Sequence, residues 1–423
     1  MNIYIPEHIP SGNKGEEAIL QGIYQGLKDE AKDVTISVFS HTPEIDRINY
    51  GNQFEVIEGI TFRPASGKGM FLKISETIVI WLKHFLFLLL WRFIGEKCLR
   101  CFRGGNWKAY LDADVILVGH DGVLSDMNLL FALFAKGIGK KGAIFGCGFR
   151  SFRFKVTEKL VPFFMSLIDL IVLREKRSYD YLISLGVRSN NIFMKPDPAF
   201  LMKPAERSAV DRFFENEQLF SRKKPLIGMV AIRGSAHFSE FHEYVTDKDE
   251  KYKKHIEFYS EMVEKVLEIT SGTVVFLPHS VQSSYGRDDR ICSRDVKAGM
   301  KKFQDDVILI ESEYNAAVLK GVIQRLDFLV SQRLHSIIGA ASVGTPFIMV
   351  TVKGDGRAQD IVEHTIAMPD LLFDLNDPHI EDFARKFKEL WSSSEKIRKE
   401  LLMRAVSIHK GCEESARLLA GLL

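Results

Sequence analysis

The stretch "DFLVSQRLHSIIGAASVGTPFIMV" (residues 327–350) decides how this chain folds. A short apolar run ends in a polar group that contains Arg333 and His335, and small residues typical of a packed helix follow. A Gly-Thr-Pro break then precedes a second apolar run, Phe347–Val350. Two short apolar runs joined through one helix predict parallel strands that are buried on both faces. We therefore predict an α/β fold built from such units.

The same alternation of apolar runs and helical stretches extends over most of the 423 residues. We predict that a polar stretch, residues 203–224, is a linker between two series of apolar strands. A chain of this length suits two domains. We predict two Rossmann-like, doubly wound domains that face a cleft, over residues 1–205 and residues 206–423, the second with C-terminal helices. The predicted strands are Asn2–Pro6, Val34–Phe39, Asp114–Val118, Gly142–Cys147, Leu170–Leu173, Ile192–Lys195, Leu226–Ala231, Thr273–Leu277, Val307–Ile310, Asp327–Val330 and Pro346–Val350.

Composition narrows the class of protein. Hydrophobic residues make up 46% of the chain and charged residues 26%, which is typical of globular proteins with full cores. The net charge of +2 gives no general attraction to nucleic acid. Five scattered cysteines favour reduced thiols, and the opening residues "MNIYIPEHIP" lack the basic and apolar regions of a signal peptide. We therefore predict a cytoplasmic protein that does not bind nucleic acid.

The segment "MFLKISETIVIWLKHFLFLLLWRFIGEKCLRCFR" (70–103) does not fit a plain Rossmann-like domain. Lys83 and His84 interrupt its apolar run, which makes it a poor membrane-spanning helix. Residues 68–108 hold eight Lys or Arg against two Glu, and a helix with aromatic residues and flanking cations suits a membrane interface. Two interpretations stay open, contact with the inner face of the cell membrane or a helix packed inside the first domain.

Arg333 and His335 lie just past the carboxyl end of a predicted strand and at the start of a helix. Unsatisfied N–H groups and the helix dipole favour an anion at such a position. Arginine adds a planar fork for phosphate or carboxylate, and histidine adds a proton donor. The pattern therefore indicates a site for an anionic ligand, against the simpler interpretation of a surface arginine and a core histidine.

A glycine turn, "IPSGNKGEEAIL" (9–20), follows the first predicted strand. Gly15 permits a tight turn, and Asn13 tolerates unusual backbone angles. Glu16 opens a helix that begins with two acids, which argues against a phosphate there and favours a neutral acceptor such as a sugar hydroxyl. A capped turn without a binding function is the alternative. Further polar side chains at predicted strand ends or helix starts are His120, Asp121, Asp126, Arg174 and His279.

An ordered series of motifs resembles the polysaccharide pyruvyl transferase family. The series comprises "GNKGEEAIL", "DADVILVGHDGVLSD", "LREKRSYDYLISLGV", "KPDPAF", "FLPH" followed by "DD", and "SQRLHSIIGAASVGTPFIMV". The resemblance implies a two-domain fold like that of GT-B glycosyltransferases, phosphoenolpyruvate as donor and a saccharide as acceptor. The family's Arg-Leu-His motif, associated with the donor, falls on Arg333, Leu334 and His335, and a second motif arginine falls on Arg174.

The resemblance also implies the reaction, in which the pyruvate group of phosphoenolpyruvate forms a ketal on a saccharide, either lipid-linked or an exopolysaccharide repeat unit. No metal or further cofactor is required, because arginines can neutralise the donor. His335 is the leading acid, with His120 and His279 as alternatives, and Asp121 or Asp126 is the base. The expected donor contacts are Arg333, Leu334, His335, Arg174 and His279, and the expected acceptor contacts are Asn13, Gly15, Glu16 and Asp126.

Two other functions fit the same residues. A GT-B glycosyltransferase that uses a nucleotide sugar would place its diphosphate at the same strand-end cations. A non-catalytic, membrane-associated protein of polysaccharide assembly would bind no donor.

Overall fold

The computed structural model describes the chain except for residues 32, 61–69, 103, 120–122, 125–127, 150–151, 153–154, 189, 233–246, 283–286, 353–355, 376–377 and 423. Its elements form two units, each with a parallel sheet of its own. The first unit comprises Met1–Ser11, Ile19–Leu201 and Lys410–Leu423. The second comprises Gly12–Ala18 and Met202–His409. Two parallel sheets with alternating helices confirm the predicted fold class.

The sheet of the first unit has eight strands in the order β3-β2-β1-β4-β6-β7-β8, with β5 paired to β6. Every pairing is parallel, and strands β1, β4, β6 and β7 are apolar and buried, as parallel strands covered on both faces must be. The strands are β1 Asn2–His8, β2 Thr35–Phe39, β3 Glu55–Ile57, β4 Val115–Val118, β5 Val123–Leu124, β6 Lys141–Phe149, β7 Leu170–Leu173 and β8 Ile192–Met194.

Helices connect the strands of the first unit. Helix α1 is shared, because its first residues group with the second unit and the rest with the first. The helices are α1 Lys14–Glu30, α2 Pro43–Tyr50, α3 Met70–Ile94, α4 Gly105–Asp112, α5 Asn128–Gly137, α6 Lys155–Ser166 and α7 Lys176–Ser184. Short 3-10 turns lie at Gly95–Arg100 and Pro198–Leu201.

The sheet of the second unit has six parallel strands in the order β13-β10-β9-β14-β15-β16, and β11 and β12 form a separate antiparallel pair. The strand order turns around β9, so that β10 and β14 flank it with their carboxyl ends at one edge, where ligands of such sheets bind. The strands are β9 Leu226–Val230, β10 Thr273–Phe276, β11 Val281–Gln282, β12 Arg287–Asp288, β13 Val307–Leu309, β14 Phe328–Ser331, β15 Phe347–Thr351 and β16 Leu372–Asp374.

The second unit's helices complete the alternation. They are α8 Arg207–Asn216, α9 Lys248–Thr270, α10 Asp289–Gly299, α11 Ala316–Gln324, α12 Leu334–Val343, α13 Gly356–Asp360, α14 Ile380–Ser392 and α15 Ser394–Ala420. Short turns lie at Gln304–Asp306 and Pro369–Leu371, and a π-helical turn at Ile361–Thr365.

The stretch 203–224 is not only a linker, because it contains α8. Val210, Phe213 and Phe214 fall three and four residues apart on this helix and are buried, so the helix has an apolar face despite its polar sequence. The predicted division after residue 205 put the glycine turn in the first domain and the C-terminal helices wholly in the second. In the structure Gly12–Ala18 groups with the second unit and Lys410–Leu423 with the first.

Candidate active site

A network of hydroxyl groups fixes the turn between β14 and α12. The Ser331 hydroxyl accepts a hydrogen bond from the N–H of Arg333 at 2.9 Å and lies 2.5 Å from the Ser336 hydroxyl. Ser336 in turn donates to the carbonyl of Arg333 at 2.7 Å. Ser331 and Ser336 are buried, so the turn is held from inside the unit. Arg333 therefore occupies a defined N-cap position directly before the helix.

Asp289, at the start of α10, holds the Arg333 side chain. Nε of Arg333 donates to Oδ2 of Asp289 at 3.2 Å, and Nη2 donates to Oδ1 at 2.6 Å. Oδ2 also accepts the N–H groups of His279 and Ser280 at 3.0 and 2.8 Å. Burial raises the pKa of the Asp289 carboxyl, and the adjacent guanidinium partly offsets that increase. The result is an arginine in a fixed plane.

Two kinds of donor at this turn remain available for an anion. Nη1 of Arg333 donates no hydrogen bond to another of the described residues, and the side chain is 26% exposed. The first N–H groups of α12 have no partners inside the helix, and the helix dipole adds positive potential there. A phosphate or carboxylate bound at this helix start would meet the guanidinium and these amides together.

The glycine turn lies directly against His335. A Cβ atom added to Gly15 would lie 2.4 Å from Nδ1 and 2.8 Å from Cγ of His335, which is closer than non-bonded atoms approach. Residue 15 must therefore be glycine for the imidazole to keep its position. The sequence predicts Gly15 as an acceptor contact, and the structure gives it the additional part of making room for the histidine.

Backbone hydrogen bonds join the glycine turn to the end of β10. The N–H of Lys14 donates to the carbonyl of His279 at 2.9 Å, and the N–H of Val281 donates to the carbonyl of Gly12 at 2.9 Å. Asn13 forms an isolated antiparallel bridge with Ser280. These bonds hold the turn in one register against residues 279–281, which follow β10.

The side chains of the glycine turn cap α1. Nδ2 of Asn13 donates to Oε1 of Glu16 at 2.9 Å, while its Oδ1 accepts the N–H of Gly15 at 3.2 Å. These contacts satisfy the capped-turn interpretation of the sequence. Carboxylate and amide groups of this kind can also accept hydrogen bonds from sugar hydroxyls.

His279 is neutral at pH 7. Its side chain is buried, and burial lowers the pKa of the imidazole to about 4. The positive charges of Arg333 and Lys14 act in the same direction as burial, and the hydrogen bond with Leu277 acts against it. Nδ1 of His279 lies 3.3 Å from the carbonyl oxygen of Leu277. A neutral imidazole can donate or accept a hydrogen bond at this site, but its N–H is too weak an acid to protonate a substrate carbon efficiently.

A buried ion pair lies beneath the glycine turn. Nζ of Lys14 lies 3.3 Å from Oε2 of Glu17 and 2.8 Å from Oε1 of Glu313. Oε1 of Glu17 accepts the N–H of Ala316 at 3.1 Å, at the start of α11. Burial raises the pKa of Glu17, and the Lys14 charge offsets part of that increase. The glycine turn is thus anchored to the start of α11 and to Glu313 in the loop just before that helix.

Sequence analysis did not select Lys14, Glu17 or Asp289 as site residues. The signal for the first two was present, because a lysine between the glycines of a turn is followed by two acids within one helical turn. Asp289 was visible only as a member of the acidic pair after His279, where helix capping explains acids equally well. Asp288 is indeed the N-cap and accepts the N–H of Arg290 at 3.1 Å.

The predicted residues fall into three groups. The second unit brings seven of them into one neighbourhood, namely Asn13, Gly15, Glu16, His279, Arg333, Leu334 and His335. Arg174 belongs to the first unit. His120, Asp121 and Asp126 lie outside the described residues. The assigned roles of all of these residues stay predictions.

Arg174 is enclosed in the first unit. Its side chain has no exposed surface, and Nη1 donates to Oδ2 of Asp197 at 2.6 Å. Nε lies 3.4 Å from Oε1 of Glu175, and Oδ1 of Asp197 accepts the N–H of Ala199 at 2.8 Å. Gly148 leaves space for this cluster, since a Cβ there would lie 2.3 Å from Oε2 of Glu175. Arg174 thus organises the turn after β7.

Among the described residues, no group of three or more His, Cys, Asp or Glu side chains is arranged to hold a metal ion. All five cysteines are free thiols.

Comparison with known families identifies the chain. The family model of polysaccharide pyruvyl transferase matches residues 13–354, which contain the glycine turn from Asn13 onward, Arg174 and the turn between β14 and α12. The protein belongs to the polysaccharide pyruvyl transferase family. The predicted family is therefore confirmed, and membership makes the protein a transferase of polysaccharide biosynthesis. No curated protein is similar enough in sequence to count as a match.

Solved structures show the same fold as this pyruvyl transferase family member. A glycosyltransferase from Rickettsia africae ESF-5 superposes with a TM-score of 0.58 at 12% identity, over 99% of this chain and 98% of that one. A putative UDP-N-acetylglucosamine 2-epimerase from Listeria monocytogenes gives 0.57 at 13% identity, over 96% and 94%. The epimerase from Methanocaldococcus jannaschii gives 0.55 at 14% identity, over the whole of both chains. The GT-B type of fold is thereby confirmed.

Proposed function

We propose that this transferase moves the pyruvate group of phosphoenolpyruvate onto a saccharide and closes a pyruvate ketal on it. The observation that supports this proposal most directly is the turn between β14 and α12. There an arginine held in one plane by Asp289, the start of a helix and His335 stand together. Phosphoenolpyruvate carries a phosphate and a carboxylate on an enol carbon. Its site therefore needs hydrogen-bond donors for these anionic groups next to an acid that can protonate carbon.

The proposed reaction consumes one donor and two hydroxyl groups of the acceptor. An acid protonates the methylene carbon C3 of phosphoenolpyruvate, and positive charge develops at C2. One sugar hydroxyl adds to C2 and gives its proton to a base. A second hydroxyl then replaces the phosphate at C2 and closes the ketal, while inorganic phosphate leaves. The net change is donor plus diol to cyclic ketal plus phosphate, with no oxidation or reduction.

Residues of the second unit support distinct parts of this scheme. We assign anion binding to Nη1 of Arg333 and the first N–H groups of α12, and protonation of C3 to His335. His279 is neutral at pH 7, so we assign it a hydrogen bond rather than the acid role. We assign binding of the acceptor hydroxyls to Asn13 and Glu16. The base stays with Asp121 or Asp126, and the donor role of Arg174 stays a prediction.

The acceptor and the compartment are part of the same proposal. The family acts on polysaccharides, so we propose a saccharide repeat unit, lipid-linked or part of an exopolysaccharide, as the acceptor. Free thiols throughout the chain support a reducing compartment, and we place the reaction in the cytoplasm. No cofactor beyond the phosphoenolpyruvate co-substrate takes part in the proposed scheme.

A ligand screen separates the candidate functions. Phosphoenolpyruvate should raise the unfolding temperature of the protein, while UDP-sugars and inorganic sulfate at equal concentration should not. Stabilisation by a UDP-sugar instead would favour glycosyl transfer from a nucleotide sugar. If neither donor binds, a non-catalytic part in polysaccharide assembly becomes the better explanation.

Two substitutions test the assignment of residues. Arg333→Lys keeps the charge but loses the fork, and losing a charge-assisted contact of this kind costs about 2–5 kcal/mol, or roughly 30- to several-thousand-fold in the Kd for phosphoenolpyruvate. Arg325→Lys is the matched control, since Arg325 also pairs with a carboxylate at 2.6 Å and is 27% exposed. Equal donor affinity in both variants would contradict the assignment.

His335→Gln retains hydrogen bonding but cannot transfer a proton. It should lower the rate of phosphate release by roughly a hundredfold or more and change donor affinity less, since general acid catalysis contributes about 10²–10⁴-fold. His364→Gln, at a half-exposed position of the π-helical turn, serves as the control. Phosphate release at the parent rate in His335→Gln would remove this histidine from the chemistry.

A further inference from the structure

Helix α3 has two apolar faces, and one of them is part of the first unit's core. His84 and Phe87 are buried on that face. The Phe87 ring stacks on Trp107 with ring centroids 4.6 Å apart, and the His84 ring lies 5.1 Å from the ring of Phe134. The segment Ser75–Arg100 is long and apolar enough to cross a membrane by length and composition. These ring contacts, however, attach the helix to the globular unit at His84 and Phe87.

The opposite face of α3 exposes large apolar side chains. At about 100° per residue these positions fall on one side of the helix, away from His84 and Phe87. Phe93 is 77% exposed, Phe85 66% and Leu82 62%, which is unusual for side chains of this size. The face is formed by Ile78, Leu82, Phe85, Leu86, Leu89 and Phe93.

Two neighbouring helices extend this surface. Helix α5 packs against both α3 and α6, and the approach to α3 is close, since a Cβ on Gly137 would lie 2.8 Å from Leu88. Leu133 of α5 and Leu160 and Phe163 of α6 are exposed. These exposed apolar side chains therefore lie on three helices that pack in succession, and we call them together the three-helix surface. A large exposed apolar area on a folded protein marks an interaction site.

Cations surround the three-helix surface. Lys83 and Arg92 are exposed and fall on opposite flanks of the apolar face of α3. Lys136, Lys155 and Lys159 are exposed on the other two helices. Residues 70–100, 128–137 and 155–166 together hold eight Lys or Arg against three Glu, a net charge of +5. An anionic partner would therefore be attracted to the rim of the surface.

We propose that the three-helix surface binds an anionic lipid bilayer, with α3 lying in the plane of the membrane interface. A bilayer offers apolar volume for the exposed side chains and negative headgroups for the cations around them. A second copy of this chain would oppose two surfaces of net charge +5, which is unfavourable. Spanning the membrane would require His84 and Phe87 to leave the core. The proposal rests on this surface alone and does not depend on the proposed reaction.

Vesicle co-sedimentation of the full chain tests the proposal. The protein should bind vesicles of phosphatidylglycerol and phosphatidylcholine at low salt and bind pure phosphatidylcholine much less. Raising the salt concentration should weaken the binding, because part of the attraction is electrostatic. Lys83→Gln and Arg92→Gln should each weaken the partition by about fivefold. No binding to the anionic vesicles at low salt would overturn the proposal.

A matched set of variants isolates the apolar contribution. The combined substitution Leu82→Asp, Phe85→Asp and Phe93→Asp should weaken vesicle binding by about tenfold or more per side chain. The control is Met403→Asp with Val406→Asp, two side chains of α15 that are 69% and 72% exposed but lie in the second unit. Equal binding by the two variant proteins would show that the three-helix surface is not the contact.

Fluorescence quenching reports the orientation of α3. Trp81, which is 37% exposed, should be quenched more by lipids brominated near the headgroup than by lipids brominated near the chain end. Trp81→Phe should remove this quenching. Stronger quenching by the deep bromines, with release by detergent only, would instead indicate a spanning helix. A stable dimer in sedimentation equilibrium that the triple Asp variant dissociates would show that a second copy covers the surface.

Discussion

Replacing Gly15 by alanine should displace His335 without removing any chemical group from the site. The added Cβ would lie 2.4 Å from Nδ1, and atoms in contact need about 3.5 Å, so the imidazole has to retreat by about 1 Å. Cβ of His335 would itself be only 3.2 Å away, so rotation of the ring alone cannot relieve the contact. A displacement of this size can cost about 100-fold in rate, and we expect a loss of that order in phosphate release.

The free energy of unfolding should fall by no more than about 2 kcal/mol in the same variant. Crowding costs typically about 1–3 kcal/mol, and alanine in a helix recovers about 1 kcal/mol relative to glycine. Gly339→Ala is the matched control in α12, because its Cβ would make only ordinary contacts at 3.8 and 3.9 Å. The measurements are phosphate release with phosphoenolpyruvate and a saccharide acceptor, urea unfolding, and the imidazole nitrogen NMR signals of His335.

The NMR signals make the reasoning testable even if the proposed donor is wrong. A displaced ring must change its surroundings, so the His335 signals should shift in Gly15→Ala and not in Gly339→Ala. If Gly15→Ala leaves both the signals and the rate unchanged, the glycine turn does not set the position of His335 and the interpretation of their contact fails.

Three further predictions concern buried ionisable side chains. The pKa of His279 is about 4 in the folded protein against 6.5 ordinarily, so its contribution to stability is present above pH 6.5 and is lost, by about 3 kcal/mol, as the pH falls towards 4; His279→Asn should flatten that part of the urea-unfolding profile. Lys14→Met should raise the pKa of Glu17 further, so its destabilisation should grow as the pH rises through the acid range, which unfolding at pH 4 and pH 7 would show. Arg174→Met should cost about 3–5 kcal/mol because the buried Asp197 carboxylate loses its arginine, and adding Asp197→Leu should restore much of it; no recovery in the double variant would count against the pairing.

The central strands and the anion-binding turn could be predicted because both depend on local sequence. Three or four consecutive apolar residues, as in β14 and β15, have no polar face to expose and are expected in buried strands. The carboxyl ends of parallel strands share one edge, so polar residues that follow them are expected there. Strands β3 (EVI) and β16 (LFD) each combine two apolar residues with an acidic one, so no apolar run marks them.

The residues that pair with the charged side chains of the site come from distant parts of the sequence, so no local sequence pattern predicts them. Asp289 lies 44 positions before Arg333 in the sequence, and Glu313 lies 299 positions after Lys14. A carboxylate near the start of a helix is also a common cap, so its sequence context does not distinguish capping from pairing with a distant arginine. The close approach of Gly15 to His335 is likewise a fact of packing between two turns, and glycine has many other uses.

The path of the chain constrains the order in which the protein can complete its fold during synthesis. The first unit includes Lys410–Leu423, which leave the ribosome only after the second unit has been made. Within that segment the thiol of Cys412 donates to the carbonyl of Asp197, and Glu414 pairs with Lys195 at 2.6 Å. A nascent chain that stops after residue 409 therefore holds every residue of the second unit but lacks part of the first. The first unit, whose synthesis begins first, is therefore the last to receive all of its residues.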